Sequence, residues 1–440
     1  MVRLSGREVL LASVAVLVTA ALVAVATQGL LYGAGALAAA AVLVLLLVRG
    51  AETVAIGFLM GAFATAPMYR GIEHLSGGVA TPTDVLLIPG IALLLPTLLQ
   101  RRLRVPTTYV VAVGLVGCWG LIGSVAGGEP VLSIFQLVQW LFFLGGLPLV
   151  IAWWRPDRSI VVRLLWSYLA GHMLSVAYAL YEGRISNGRF NGLTHHENAF
   201  GLAGVAAIAI VLFLLHEHRD LRVRGVLLAI GAASALSISM SGSRAALLVA
   251  IVLVLMVPVV EKSAVWGFFV AAAVGLAIAA LPLIVGSSGD DSAISRLAGD
   301  GTSAVADSRR STVLDYGLER FAESPLFGSG LVNVEVIHNG FVAVVVAIGL
   351  FGAPAYLVAL YVLARPLFLD HPLRRLGYLV WAFIGSTAAL PSLYDRTLWV
   401  PISLAILPAL GQFRGGRDPD ADAVRPEVDE SRQDATPAQP

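Results

Sequence analysis

Residues 198–215 read NAFGLAGVAAIAIVLFLL, and the solvent this stretch requires decides the fold. It carries no ionisable side chain over a length close to the ~20 residues a helix needs to cross ~30 Å of hydrocarbon. Runs of the same kind recur along nearly the whole chain. Of the 440 residues, 58% are hydrophobic and 13% charged, against about 45–50% and about 25% in soluble domains; mean hydropathy is +0.84. The chain reads as an integral membrane protein. Runs of this length satisfy their backbone in lipid as helices rather than as barrel strands.

Spans are expected at roughly 9–27, 30–48, 52–68, 84–100, 107–125, 131–154, 160–181, 198–215, 225–240, 243–260, 264–286, 338–364, 376–390 and 396–412. The last two are short enough to be re-entrant, so the expectation is an all-α polytopic membrane protein with about 12–14 transmembrane helices. Arginine orients it. Arg49, the run Arg101-Arg102-Leu103-Arg104, the pair Arg155 and Arg158, the group Arg219, Arg222 and Arg224, then Lys262, and finally Arg365, Arg374 and Arg375 fall in alternate loops. By the positive-inside rule that register puts both termini in the cytoplasm. The first span follows Arg3 and Arg7, and Ala24-Val25-Ala26 resembles a signal-peptidase site. Its apolar core is long and a second span follows at once, so an uncleaved helix is expected.

The transmembrane domain therefore runs over 1–410. The stretch 411–440, with Asp418, Asp420, Asp422 and several prolines, has too little apolar content to pack and reads as a disordered cytoplasmic tail. The formal net charge of +1 says nothing about partners. Cys118, the only cysteine, excludes an intrachain disulfide and a thiolate metal cluster. Inside an apolar run, it is expected as a small buried residue.

Three loops of the opposite register carry polar groups: 182–198 with Arg184, Arg189, His195, His196, Glu197 and Asn198; 239–244 with Arg244; and the long loop 287–337, which leads to His338. Arginine on the outer face runs against the topogenic bias, so these residues need another reason to be there. Within the long loop, Asp307 or Ser308 is placed to cap a helix over RRSTVLDYGLERF (309–321). Leu314, Leu318 and Phe321 recur there at helical spacing, giving the apolar stripe of an amphipathic surface helix. Ser324-Pro325 should end it.

His195-His196-Glu197 invites a metal, but the zinc pattern HExxH needs a second histidine one helical turn on, and position 200 is Phe200. Histidines that cap the next helix are the better account, with Asn198 as N-cap or loop-closing residue. Arg189 and Arg244 leave two readings open. A guanidinium fork fits phosphate oxygens in pairs, so the two could hold a pyrophosphate; equally, each could snorkel to headgroups or pair with Glu182 or Glu197. His338 likewise is either a proton acceptor suited to neutral pH or a histidine at a helix end.

Taken together, GRFNGLTHHEN (188–198), SGSRAALL (241–248), SRRSTVLDYGLERFAESPLFGSGL (308–331) and HNGFVAVVVAIGLFG (338–352), in this order between apolar spans, resemble the O-antigen ligase and Wzy-type polymerase family. The resemblance covers about Tyr181 to Ala364. It implies a GT-C-like membrane glycosyltransferase, at work on the outer face of the cytoplasmic membrane. The donor would be a glycan on an undecaprenyl pyrophosphate carrier and the acceptor a glycan, lipid or protein hydroxyl. The family's Arg-x-x-Gly matches Arg189 with Gly192, its second arginine Arg244, its loop arginine Arg310 ahead of Pro325, Gly328 and Gly330, and its histidine and asparagine His338 and Asn339. The chain departs at Glu197, where many relatives carry proline, and at Leu314, where an aromatic is common.

In that reading His338 is the base. Arg189 and Arg244 neutralise the departing pyrophosphate and Arg310 closes as a clamp, with Gly192, Asn198 and Asn339 in support. Fixed arginine charge would replace a divalent metal, so no metal, cofactor or nucleic acid is expected and transfer would be a single inverting displacement. Two alternatives stand beside it: a transporter or lipid-linked-glycan flippase, and an inactive scaffold. A transporter usually places ionisable groups near the midplane, where His172 is the one candidate, and a hydrogen bond to a neighbouring helix would account for that residue.

Overall fold

Backbone polar groups in hydrocarbon have no water to bond to, which favours structure that closes its hydrogen bonds within one segment. The computed structural model describes residues 30–68, 80–185, 188–272, 275–276, 293–298, 303–332, 334–390 and 392–411, and every regular element among the described residues is helical. The helices are α1 (Leu30–Arg49), α2 (Ala51–Thr65), α3 (Pro82–Leu99), α4 (Thr107–Ala126), α5 (Pro130–Trp154), α6 (Arg158–Glu182), α7 (Glu197–Glu217), α8 (Leu221–Met240), α9 (Arg244–Glu261), α10 (Ala293–Ala298), α11 (Ser303–Glu323), α12 (Gly340–Ala364), α13 (Gly377–Thr387) and α14 (Arg396–Gly411). The backbone is also helical at 264–272. Eight of these, α3 to α9 and α12, are long and apolar enough to cross a membrane, so the chain is a polytopic helical membrane protein. The expected first span at 9–27 and the tail beyond Gly411 lie outside the described residues, as does most of the span at 264–286.

Side-chain contacts sort the helix ends into two groups. At one end Arg101 bonds the carbonyl of Trp154, Trp154 Nε1 reaches Glu52 at 3.1 Å, and Arg158 pairs with Glu217. Glu261 there accepts from Arg374 at 2.9 Å and from Arg375. At the other end the start of α3 meets the start of α14, Ala66 accepts from Thr397 at 3.0 Å, and the loops bearing Arg189, Arg244 and His338 come together. The loops thus alternate between an arginine-rich end and a second polar end, in the register read from the sequence.

The centre is α7. All but two of residues 197–214 are buried. Small side chains permit this: a Cβ on Gly204 would stand 2.7 Å from Ser237 Oγ, and one on Gly201 2.7 Å from Ser241 Oγ, so α8 approaches closely. Helices at the rim instead turn apolar side chains outward. Cys118 on α4 is exposed, against the expectation of burial. In a bundle solvated by lipid, an apolar residue gains nothing from facing inward, so hydropathy alone cannot assign its face.

Two features of the long loop also differ from expectation. The helix predicted to start after Asp307 or Ser308 begins at Ser303, because Ala304, Val305 and Ala306 give it nothing to break on. Its inward face is Val313, Gly317 and Phe321, while Leu314 and Leu318 are exposed, one residue out of register with the predicted stripe. It ends before Ser324-Pro325 as predicted.

Beyond it, residues 324–332 enter the bundle. Helix α12 is broken at Gly349 (φ 67°, ψ −176°), and the turn fills the gap: Ser329 N donates to Val346 O at 2.8 Å, Gly330 N to Ala347 O at 3.1 Å, and Leu350 N to Pro325 O at 2.9 Å. Glycine is required on both sides. A Cβ on Gly349 would lie 2.2 Å from Leu326 O, one on Gly328 2.3 Å from Ala347 O, and one on Gly127, just after α4, 2.0 Å from Ser329 O.

Candidate functional site

The loop between α6 and α7 is shaped by glycine and locked by hydroxyls. Gly188 and Gly192 hold φ of 78° and 54°, a region open to glycine at little cost. A Cβ on Gly192 would also stand 2.7 Å from both the carbonyl and the hydroxyl oxygen of Ser175. Ser175 Oγ accepts from Leu193 N at 3.0 Å, and Thr194 Oγ1 closes the loop on the carbonyls of Asn191 (2.6 Å) and His196 (2.8 Å). His196 is the N-cap of α7, its Nδ1 accepting from Asn198 N at 3.0 Å. The capping role expected of the histidine pair is therefore met by His196, and Asn198 is not the cap.

Asn198 instead serves Arg189, which is 7% exposed. The guanidinium donates from Nε to the carbonyl of Ser241 at 2.6 Å, from Nη1 to the Glu197 carboxylate, and from Nη2 to Asn198 Oδ1 at 2.8 Å. One side chain thus ties the loop, the start of α7 and the end of α8. Pairing with Glu197, one of the two readings the sequence left open, is present in the structure. The fork is thereby held in a fixed orientation.

Arg244 is the first residue of α9, half-buried behind Ser243, whose Oγ caps the helix by accepting from Ala246 N at 3.4 Å. The turn before it is held from the long loop, where the guanidinium of Arg296 on α10 donates to Gly242 O at 2.8 Å and is itself 5% exposed. Sequence reasoning missed Arg296. Its signal was the one used for Arg189, an arginine in an outer loop. Asn339 caps α12 by accepting from Phe341 N (3.0 Å) and Val342 N (3.1 Å), which leaves His338 exposed just before the helix. Arg310 lies on α11, but its side chain is outside the described residues.

Electrostatics bring His338 and the Arg189 loop to one place. The His196 pKa is lowered, first by desolvation and then by the neighbouring charges of Arg189, His195 and His338, with Glu197 acting in the opposite direction. His338, from a segment more than a hundred residues away in sequence, therefore shares the end of the bundle with the Arg189 loop. At the start of α12 a wholly apolar cleft of about 230 Å³ opens towards α11, lined by Leu318, Phe321, Phe341, Val342, Val345 and Val346. Among the described residues no three His, Cys, Asp or Glu side chains gather as metal ligands would. His172 bonds Ser237 on α8 at 3.3 Å, as the sequence suggested.

A second polar cluster at this end was not anticipated. Asp84, in a capping box with Thr81 at the start of α3, accepts from Arg396 Nη2 at 3.1 Å and from Nε at 3.3 Å. Arg396 is 7% exposed and lies over the Phe143 ring at 5.3 Å. Neither the known protein families nor the curated proteins give a match to this chain.

Proposed function

We propose that the chain is a membrane glycosyltransferase that moves a glycan from a polyprenyl pyrophosphate to an acceptor hydroxyl, as a polysaccharide polymerase or ligase. The observation that carries this reading is a juxtaposition: the Arg189 loop, tied to the turn before Arg244, shares one end of the bundle with the exposed His338, and an apolar cleft opens at the start of α12, the helix that His338 precedes. A donor with a charged pyrophosphate, a sugar and a long hydrocarbon tail matches those three surfaces. The family resemblance of residues 181–364 points the same way.

The chemistry balances on the residues present. The acceptor oxygen attacks the anomeric carbon as its proton passes to His338. The bond from that carbon to the pyrophosphate oxygen breaks, and the polyprenyl pyrophosphate leaves with the electron pair. Arg189, preorganised by Glu197, Asn198 and Ser241, and Arg244 at the start of α9 stabilise the charge that builds there. Arg310 is the clamp of this reading, and the site faces outward with both termini in the cytoplasm.

The test uses the purified full-length chain with an undecaprenyl-pyrophosphate oligosaccharide, in chelator and without added metal. A ladder of products marks a polymerase and single transfer a ligase. His338→Ala should lower the rate by about 10²–10⁴, and Arg244→Ala by about 10²–10³. Transfer by His338→Ala at the parental rate refutes the base assignment, and strict dependence on added divalent metal refutes the arginine mechanism. Movement of the lipid-linked glycan across sealed vesicles without transfer would instead establish the flippase alternative.

A further inference from the structure

The turn that fills the break in α12 carries an apolar surface that the proposed reaction does not use. On α11, which leads to it, Glu319 and Glu323 are exposed to a polar medium. The character changes after Ser324: Pro325, Leu326 and Phe327 are all exposed, Leu326 by 45% and Phe327 by 44%. Contiguous exposed apolar surface marks a partner or a membrane.

The backbone that follows is spent inside the bundle. Gly328 N donates to Ser324 O at 2.9 Å, Ser329 N and Gly330 N donate to the carbonyls of α12 at its break, and Leu331 N donates to Ser133 Oγ on α5 at 2.8 Å. Ser133 in turn donates to Ser124 Oγ on α4 at 2.7 Å. Arg320 on α11 donates to Val332 O at 2.6 Å and to Ser329 O at 3.1 Å. Helices α5, α11 and α12 thus hold the turn, and its apolar tip stays outside.

The tip continues the outward surface of two helices long and apolar enough to cross a membrane. The Phe327 ring lies 5.6 Å from Trp119 on α4 and 6.3 Å from Phe351 on α12, and the last two stack at 5.2 Å. Beside them Leu350 on α12 and Leu121, Ile122 and Val125 on α4 also face outward. On helices that cross a bilayer, an outward apolar face meets hydrocarbon. Trp119 lies about 10 Å along the axis from Ala126, the last residue of α4. Tryptophan gathers near that level, at the border of headgroups and chains. A protein-binding patch would carry a polar rim, whereas this surface runs from ring to ring into the lipid-facing helices.

We propose that Pro325, Leu326 and Phe327 form a wedge seated among lipid hydrocarbon chains, so that this part of the long loop is a membrane-inserted element. Through Arg320 the wedge also fixes the height of α11 at the membrane surface. The proposal is independent of the glycosyl-transfer reading. Its test uses the full-length chain in lipid nanodiscs, spin-labelled at one cysteine at a time. Power saturation is read against oxygen, which concentrates in hydrocarbon, and against a water-soluble nickel chelate. Native Cys118, exposed on α4 next to Trp119, is the standard for a lipid-facing position. Leu326→Cys and Phe327→Cys, each combined with Cys118→Ala, should show the same preference for oxygen over nickel as Cys118. Glu319→Cys, at an exposed charged position on α11, should show the reverse. Nickel access at 326 and 327 equal to that at 319 means a water-facing turn, and access to neither reagent means a turn covered by protein; either result overturns the proposal. If Phe327→Cys does not fold for want of its ring contacts, Leu326→Cys alone carries the same comparison.

Discussion

Arg189 holds three segments with one guanidinium, and each prong has a different kind of partner: a carbonyl, a carboxylate and an amide. Removing it takes from the buried Glu197 the guanidinium it pairs with, a change that typically costs about 3–5 kcal/mol. Arg189→Ala should therefore lower the melting temperature as well as lowering transfer by about 10²–10³. Arg189→Lys should restore little of either, because an ammonium cannot reproduce the planar fork; recovery of the parental melting temperature by lysine would refute the three-pronged role. His196 permits a pH test. Its folded pKa lies below the ordinary value of ~6.5, so the folded chain binds fewer protons than the unfolded chain once the pH falls past that value. Stability is full above it and is lost on acidification, when protonation of Nδ1 also abolishes the cap. The melting temperature in detergent should fall from pH 7.5 to pH 5, and His196→Asn, a good cap without a titrating ring, should fall less. Equal slopes would exclude the assignment. Both residues were legible in the sequence as outer-loop oddities. Which partner each takes was not, since Glu182 and Glu197 are chemically alike and only the chain path across α8 selects between them.

At the scale of elements, the apolar runs predict helices well and their interruptions poorly. The run from Gly340 to Ala364 is uninterrupted in hydropathy, yet its helix breaks at Gly349, and the break is filled by a turn whose Pro-x-x-Gly-x-Gly pattern lies some twenty residues earlier. Nothing local marks this, because glycine is common in membrane helices; the information lies in pairing two glycine-bearing segments across the bundle. Gly349→Ala should be severely destabilising, from both its positive φ and the 2.2 Å approach to Leu326 O. Gly114→Ala on α4, which meets nothing within 4 Å, should be neutral or stabilising by up to about 1 kcal/mol. Thermal unfolding of the two variants side by side checks this, and similar melting temperatures would show that the turn does not enter α12 as described. The surface helix α11 was anticipated in type and end, while its inward face was misjudged by one position. Gly317, where an added Cβ would stand 3.0 Å from Ile337, has no side chain for a hydrophobic pattern to detect.

For the whole molecule, alternation of arginine gave the two ends, and contacts between helix termini reproduce them. The tie between Asp84 and Arg396, 312 residues apart, joins the start of α3 to the start of α14 and closes the second polar end. No spacing rule finds such a pair. Asp84→Asn should lower stability by about 3–5 kcal/mol, because it leaves Arg396 buried beside a neutral group. The double variant Asp84→Asn/Arg396→Gln should recover part of that loss, and a double variant whose loss equals the sum of the singles would show that the two do not interact. A reporter fused after Glu323 should be found outside the cell if the proposed orientation holds, and a cytoplasmic result would overturn it.

The burial of α7 on nearly all sides has a consequence for biogenesis. A segment so apolar enters the bilayer as soon as it is made, but α13 and α14, which pack against it, follow only after roughly 160–180 further residues. At a synthesis rate of about 5–20 residues per second, the central helix waits about 8–36 s in lipid with the face that meets α13 and α14 uncovered. Insertion and assembly are thus separated in time. During that interval the face of α7 that meets α13 and α14 is open to any other helix in the membrane, so a chain stalled before residue 377 should be the form that quality-control proteases remove.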